Sequence, residues 1–260
     1  IVVLIRQYLK EKYPDYSMKQ ISVMCNQMLM STATIVQNKE GNPYSPRKQG
    51  AGLASLFNVV NTGAYLTVDG IDRTKLELGD DAKRTGVYEM SFNICNISDK
   101  DLTYKLGLIG MTETVSTSDE TFVAEKDQIL GGTFTATVTG DGSYDGTNVT
   151  VKAGKSVAVK LVYTLSDADK QMIDKLFPYG MYVEGFVTLE STEEKGIDLN
   201  IPFLAFYGDW TEAPMFDKTY YEVDKEAKDD SIDEEDKLKA DYYATTPYGS
   251  YYHNYIIPLG

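Results

Sequence analysis

Few side chains in this sequence are of a type and in a setting that could perform chemistry. His253 is the only histidine, inside Tyr251-Tyr252-His253-Asn254-Tyr255. A catalytic base needs a nucleophile and an orienting acid within hydrogen-bond reach. No serine lies in the strand–turn–helix setting of a nucleophile elbow, so His253 reads as a strand or surface histidine and no catalytic residue is assigned. Asp141 and Asp145, in Asp141-Gly142-Ser143-Tyr144-Asp145-Gly146, could ligate calcium together with neighbouring carbonyls, since calcium takes about six to eight oxygens. Their spacing lacks the glutamate and the ligand positions of an EF-hand loop. A hairpin turn that uses Gly and Asp for positive φ accounts for the same residues, so no metal centre is assigned and calcium is the only cofactor candidate. The run from Asp229 to Asp236 reads as a charged face in water.

Cys25 and Cys95 are the only cysteines, one in a helical pattern and one in a strand pattern. That excludes a disulfide scaffold, and with one histidine it leaves too few ligands for zinc. Both read as buried free thiols acting as small apolar residues. The twenty tyrosines, several of them between Tyr242 and Tyr255, could line a peptide or sugar site, but sandwich cores and domain contacts also consume such side chains. Substrate-binding residues stay unassigned.

Charge is unevenly spread. Residues 1–66 hold seven Lys and Arg against three Asp and Glu, residues 67–208 hold thirteen against twenty-three, and residues 209–260 hold five against thirteen. Nucleic-acid binding depends on basic side chains replacing condensed counterions, so an acidic body of this kind argues against a nucleic-acid partner.

The elements that must position any site change character along the chain. Ile1-Val2-Val3-Leu4-Ile5 opens without an initiator methionine, which leads us to expect preceding sequence. Neither that run nor any other stretch approaches the length needed to span a bilayer. Residues 1–12 read as an apolar helix stopped by Pro14. Ser17 with Gln20 forms a capping box for a second helix, whose Ile21, Met24, Cys25, Met28 and Leu29 share one face. A loop rich in Asn, Gly and Pro runs from Asn38 to Pro46, followed by Gly50-Ala51-Gly52-Leu53 and a short helix through Phe57, Val59 and Val60. Gly50 and Gly52 suggest positive φ or a close backbone approach, which gives Gly50, Gly52 and Leu53 a structural role. Residues 1–66 are expected not to close a core of their own, because the apolar faces of these helices have nothing to cover them, and so to pack on chain missing from this sequence.

From about Tyr65 the period changes to two. Runs at Leu76–Leu78, Tyr88–Ile94, Leu102–Leu108, Thr133–Val138, Val157–Leu165, Met181–Leu189 and Ile197–Phe206 predict seven or eight strands of an antiparallel β-sandwich. One helix interrupts them, Ser166 to Phe177, capped by Ser166 or Asp167, with Met172, Ile173 and Leu176 inward. Residues 209–260 read as an acidic linker and the first strands of a further β domain.

The order of features in residues 1–63 resembles the end of the catalytic domain in subtilisin-like serine proteases. The features are the apolar helix Ile1 to Lys12, the break Lys12-Tyr13-Pro14, the capped helix ending in Ser31-Thr32-Ala33-Thr34, and the turn Gly50-Ala51-Gly52-Leu53. The stretch Pro43-Tyr44-Ser45-Pro46-Arg47-Lys48-Gln49-Gly50-Ala51-Gly52-Leu53 is similar to lactocepin-like cell-envelope proteinases. Residues 67–208 resemble the fibronectin-III-like domain that follows in those enzymes, through Ser166–Phe177, Gly180–Val187 and Ile201–Trp210. The resemblance implies a mainly β fold, a fibronectin-III/Ig-like antiparallel sandwich preceded by the helical remnant of an α/β domain. It also implies an extracellular protein, secreted or attached to the cell wall of a Gram-positive bacterium. Its partners would be an upstream protease domain of the same polypeptide and protein or peptide substrates. The family's Asp, His, oxyanion Asn and Gly-Thr-Ser-Met-x-x-Pro motif have no counterpart here, so the chain alone is expected to be inactive. A surface adhesion or binding module with no proteolytic role is the alternative. A sugar-binding sandwich would explain the tyrosines but not residues 1–63.

Overall fold

The computed structural model describes residues 1–115, 125–212, 225 and 228. By Cα proximity the chain divides into Ile1–Trp210 and Thr211–Gly260; the elements below belong to the first unit. His253, the Asp229–Asp236 run, Tyr242–Tyr255 and almost all of the acidic segment from 209 to 260 lie outside the described residues.

Serine caps set the helices. α1 (Val2–Lys12) ends before Pro14. α2 (Met18–Ser31) opens at Ser17, where the backbone and side chain of Ser17 and Gln20 bond reciprocally as a capping box. α3 (Pro46–Gln49) and α4 (Leu56–Asn61) start at Ser45 and Ser55, whose hydroxyls accept from Arg47 N and Asn58 N. α3 begins on Pro46, the last residue of the Asn38–Pro46 stretch expected as loop. It is a single turn, too short to show a hydrophobic period. α5 (Asp167–Leu176) takes Ser166 as its cap, with Asp169 closing the box and Ile173 fully buried.

The strands are β1 (Ala64–Thr67), β2 (Leu76–Asp80), β3 (Val87–Asn96), β4 (Leu102–Val115), β5 (Glu125–Ile129), β6 (Thr133–Gly140), β7 (Gly142–Tyr144), β8 (Asn148–Val151), β9 (Ser156–Thr164), β10 (Met181–Ser191) and β11 (Leu199–Tyr207). A four-stranded sheet runs β1-β3-β9-β6, and a larger one runs β2-β11-β10-β4-β8-β7 with β5 also on β4. The strands beyond those read from the sequence are β1, β5, β7 and β8, each of three to five residues and too short to display alternation. β7 occupies the middle of the Asp141–Gly146 stretch, where the sequence predicts a turn; the reversal itself comes later, where Asp145 N donates to Asn148 O. The sandwich is antiparallel except where β2 pairs parallel with β11.

Alternation places Tyr88, Met90, Phe92 and Ile94 of β3, and Val157, Val159, Leu161 and Tyr163 of β9, in the core between the sheets. β10 and β11 depart from that pattern. Val183, Val187 and Leu189 face the core, yet Glu184 and Phe186, on the opposite face, are also buried, as is Met111 on neighbouring β4. The outer face of the larger sheet is therefore covered, and α3 packs on β10 and β11. Helices α1, α2 and α4 close a smaller core of Ile5, Leu9, Ile21, Met24, Cys25, Met28 and Val59 against Tyr65 and Ile97. Contrary to the expectation that residues 1–66 cannot close a core, these side chains bury one another, with Ile97 the one member from beyond that stretch. Ile1, Val2, Val3 and Leu4 stay exposed. Cys25 and Cys95 are free. Only Cys25 is fully buried; Cys95, at the end of β3, is half-buried, with Sγ 3.8 Å from Thr67 Oγ1.

Candidate functional site

The seam between the 31–55 stretch and the outer face of the larger sheet holds most of the polar chemistry that the fold buries. Ser45 caps α3, and that single turn places Arg47 over β10. Arg47 Nε donates to both carboxylate oxygens of Glu184 at 3.1 and 3.2 Å, and Nη2 donates to Glu184 Oε1 at 2.9 Å. The same Nη2 lies 2.8 Å from Glu113 Oε1 on β4. The guanidinium also stacks 4.1 Å from the ring centroid of Tyr182. Glu113 and Glu184 side chains are 4% and 1% exposed, so one cation serves two buried anions. Burial by itself would lower the Arg47 pKa, but the hydrogen bonds and charges of Glu184 and Glu113 outweigh it and hold the group above its ordinary value. Next to it, Lys48 Nζ lies 2.9 Å from Asp127 Oδ1 on β5. The basic N-terminal stretch thus meets the acidic sandwich at defined pairs.

Hydroxyls and amides complete the seam. Ser31 Oγ, fully buried at the end of α2, donates to Gln27 O and accepts from Leu66 N at 2.9 Å, while Thr74 Oγ1 donates to Leu66 O at 2.9 Å. The small-residue run Ser31–Thr34 is therefore where the helix meets β1 without bulk. Asn200 Nδ2 on β11 donates to Ala33 O at 2.7 Å. Thr34 and Leu53 exchange backbone hydrogen bonds of 2.9 and 2.8 Å. Gly52 has φ +117, and a Cβ there would stand 2.4 Å from Thr34 O; Gly50 has φ +64 with open space around it. Leu53 is largely exposed and serves through its backbone.

Asp141 and Asp145 lie at the far hairpin rather than at the seam. Asp145 Oδ1 accepts from Thr147 N and Asn148 N at 2.8 and 2.7 Å, and Oδ2 from Asn148 Nδ2 at 3.1 Å. These bonds hold its carboxyl below the usual range, the Asn148 backbone N–H contributing most. Asp141 N donates to Ser156 O and its carbonyl accepts from Lys152 N. Among the described residues no group of three His, Cys, Asp or Glu is placed to hold a metal ion, and none of their helices is long and apolar enough to cross a membrane. Burial raises the Cys25 thiol, with Arg6 pulling the other way, which suits an inert thiol rather than a nucleophile. The pairing of Arg47 with Glu113 and Glu184 was not read from the sequence. The available signal was a glutamate inside the apolar run Met181–Leu189, with a basic pair at positions 47 and 48 of an oppositely charged segment.

Residues 76–204 match the family described as the Fn3-like domain. The PI-type proteinase of Lactococcus lactis subsp. cremoris is 28% identical over 178 residues, 66% of this chain and 8% of that protein. The PII-type proteinase of Lacticaseibacillus paracasei is 26% identical over 228 residues, 82% of this chain and 11% of that protein. The C5a peptidase of Streptococcus pyogenes serotype M1 is 25% identical over 242 residues, 88% of this chain and 19% of that protein. The chain thus spans a small part of the length of these relatives.

Fold and seam together define a Fn3-like β-sandwich that carries a helical segment on the outer face of its larger sheet. Over much of its length the chain is homologous to subtilisin-like cell-envelope proteases, the group that includes these lactococcal and streptococcal relatives.

Proposed function

We propose that this chain is the part of a cell-envelope subtilisin-like serine endopeptidase where the catalytic domain ends and its first supporting sandwich begins. In this reading residues 1–66 complete the packing behind the helix that carries the nucleophilic serine, and the sandwich of residues 67–208 holds them rigid. The observation that carries it is the double burial of β10 and β11: the helical stretch is fastened across the sheet by Arg47, Glu184 and Glu113, not tethered by a flexible linker. A sandwich fastened in this way can also help to position protein substrates beside the catalytic domain. Reaction class comes from the relatives alone, as peptide-bond hydrolysis with the triad supplied by the catalytic domain. The protein works outside the cell, secreted or wall-attached.

The deciding experiment is to sequence the coding DNA on the 5′ side of the Ile1 codon. An in-frame Gly-Thr-Ser-Met-type motif within a few helical turns, preceded by Asp and His motifs, is the expected result. A start codon or an unrelated sequence there overturns the protease reading in favour of an adhesion or binding module. The 260-residue chain by itself is expected to leave casein intact, and cleavage that survives repurification would contradict this assignment of the triad.

A further inference from the structure

The seam contains a second feature that the charge cluster does not use. An open cleft of about 590 Å³ runs between the 32–37 stretch and the outer face of β4, β10 and β11. Its floor is a register row across three strands, with Asn200 opposite Thr188 and Thr188 opposite Gly107. Gly107 leaves the floor low, since a Cβ there would stand 2.6 Å from Thr188 Oγ1.

The wall is an extended segment with one satisfied edge and one open edge. Thr34 exchanges both backbone hydrogen bonds with Leu53, Val36 N donates to Gln49 Oε1 at 2.8 Å, and Val36 O accepts from Tyr44 N at 3.0 Å. In extended chain successive peptide groups point to opposite sides, so residues 33 and 35 turn theirs the other way. Ala33 N donates to Met30 O at 3.4 Å and Ala33 O is taken by Asn200 Nδ2, so the open part of this edge is Ile35. The N–H and C=O of Ile35, which lines the cleft, have no partner among the described residues. Asn200 is 3% exposed, and among the described residues its Oδ1 has no donor. A buried carbonyl oxygen without a donor is uncommon in folded proteins.

An open strand edge along a cleft, ending at an unpartnered acceptor, has the complement of groups that an extended peptide presents. We propose that this cleft binds an extended polypeptide segment, which adds as a strand to the Ala33–Val36 edge. Its backbone pairs with the N–H and C=O of Ile35, a donor reaches Asn200 Oδ1, and one side chain sits above Gly107 and Thr188. Glu190 and Asp198 line the same cleft and select a basic side chain there. Among the described residues Glu190 is held by an exposed pair with Lys105 at 3.5 Å, which competes weakly. The inference does not depend on the chain belonging to a protease.

The test uses the 260-residue chain, isotope-labelled for NMR, titrated with the capped peptide acetyl-Thr-Val-Arg-Val-Thr-amide. Saturable shifts are expected at the amides of Ile35, Gly107 and Thr188 and at the Asn200 side chain, with a dissociation constant of about 0.01–1 mM. The same peptide with alternate backbone nitrogens methylated, unable to pair as a strand, should bind at least about tenfold more weakly. Gly107→Val fills the floor with a residue suited to a strand, turns Thr188 aside, and should weaken binding by a similar factor in a chain whose amide shifts away from Gly107 and Thr188 stay those of the folded protein. The proposal is overturned if about 5 mM peptide leaves these resonances in place, as a cleft that holds only water would. Equal binding by the methylated peptide or by Gly107→Val overturns it as well.

Discussion

Arg47 and Glu184 stand 137 residues apart in the chain and meet through three hydrogen bonds of 2.9 to 3.2 Å. Because Glu184 is almost wholly buried and Arg47 about a third exposed, the pair is asymmetric. The anion has lost its water and depends on the cation, whereas the cation keeps some. Glu113 shares the same guanidinium, leaving the cluster with one more negative than positive charge.

Removal of the cation is the costly change. Arg47→Ala leaves two buried carboxylates without a partner and is expected to lower unfolding free energy by about 3 kcal/mol, read as a shift in the urea midpoint. Arg47→Lys keeps the charge but loses the fork and the stacking on Tyr182, and should fall between the two.

The two glutamates should respond differently. Glu184→Gln breaks the forked contact and is expected to cost about 1–3 kcal/mol. Glu113→Gln removes the surplus negative charge while keeping a hydrogen-bond acceptor, so it should be neutral within about 0.5 kcal/mol or stabilising. Denaturant titration of the two single variants checks the order.

Gly52 and Gly50 should also separate. Gly52→Ala forces a Cβ against Thr34 O at a φ that disfavours side chains and is expected to cost about 2–3 kcal/mol. Gly50→Ala, with positive φ but open space, should cost about 1 kcal/mol. The melting temperatures of the two variants, measured by calorimetry, test this.

The core predicts an alkaline limit. Desolvation pushes the phenols of Tyr65, Tyr88, Tyr104 and Tyr163 well above their ordinary value, and the Tyr88 hydroxyl has no partner among the described residues. With the folded pKa raised, the unfolded chain holds fewer protons than the folded chain once pH passes about 10. Stability contributed by these groups is complete below that pH and is lost as pH climbs toward the folded values. Absorbance at 295 nm should show these tyrosines ionising together with loss of near-ultraviolet circular dichroism. Smooth ionisation with the fold intact would contradict it.

Calcium at about 5 mM should leave the melting temperature unchanged, because the Asp145 oxygens are already taken by their own turn and calcium needs about six or more oxygens. A rise of several degrees would restore Asp141 and Asp145 as ligands.

Local patterns were enough to place much of this fold. The Ser17–Gln20 capping box, the Pro14 stop and the Ser166 cap are each contained within a few residues. The period-two runs of β3 and β9 extend over nine or more residues each, long enough for alternation to declare a strand, whereas β10 and β11 show as apolar runs buried on both faces. The charge difference between residues 1–66 and 67–208 was also visible, although it does not say which charges meet.

What the tertiary structure alone decided was where those elements face. β7 and β8 are short and have no period of their own, so only pairing defines them, β8 with β4 and β7 with β8. The parallel contact of β2 with β11 joins residues more than 120 positions apart, and no local signal encodes that direction. Arg47 with Glu184 and Asn200 with Ala33 arise from one packing event, the docking of residues 31–55 on the outer face of the larger sheet, and Gly52 against Thr34 from the folding of that stretch on itself. The free energy of such contacts depends on burial and mutual approach, and both are set only when distant segments come together.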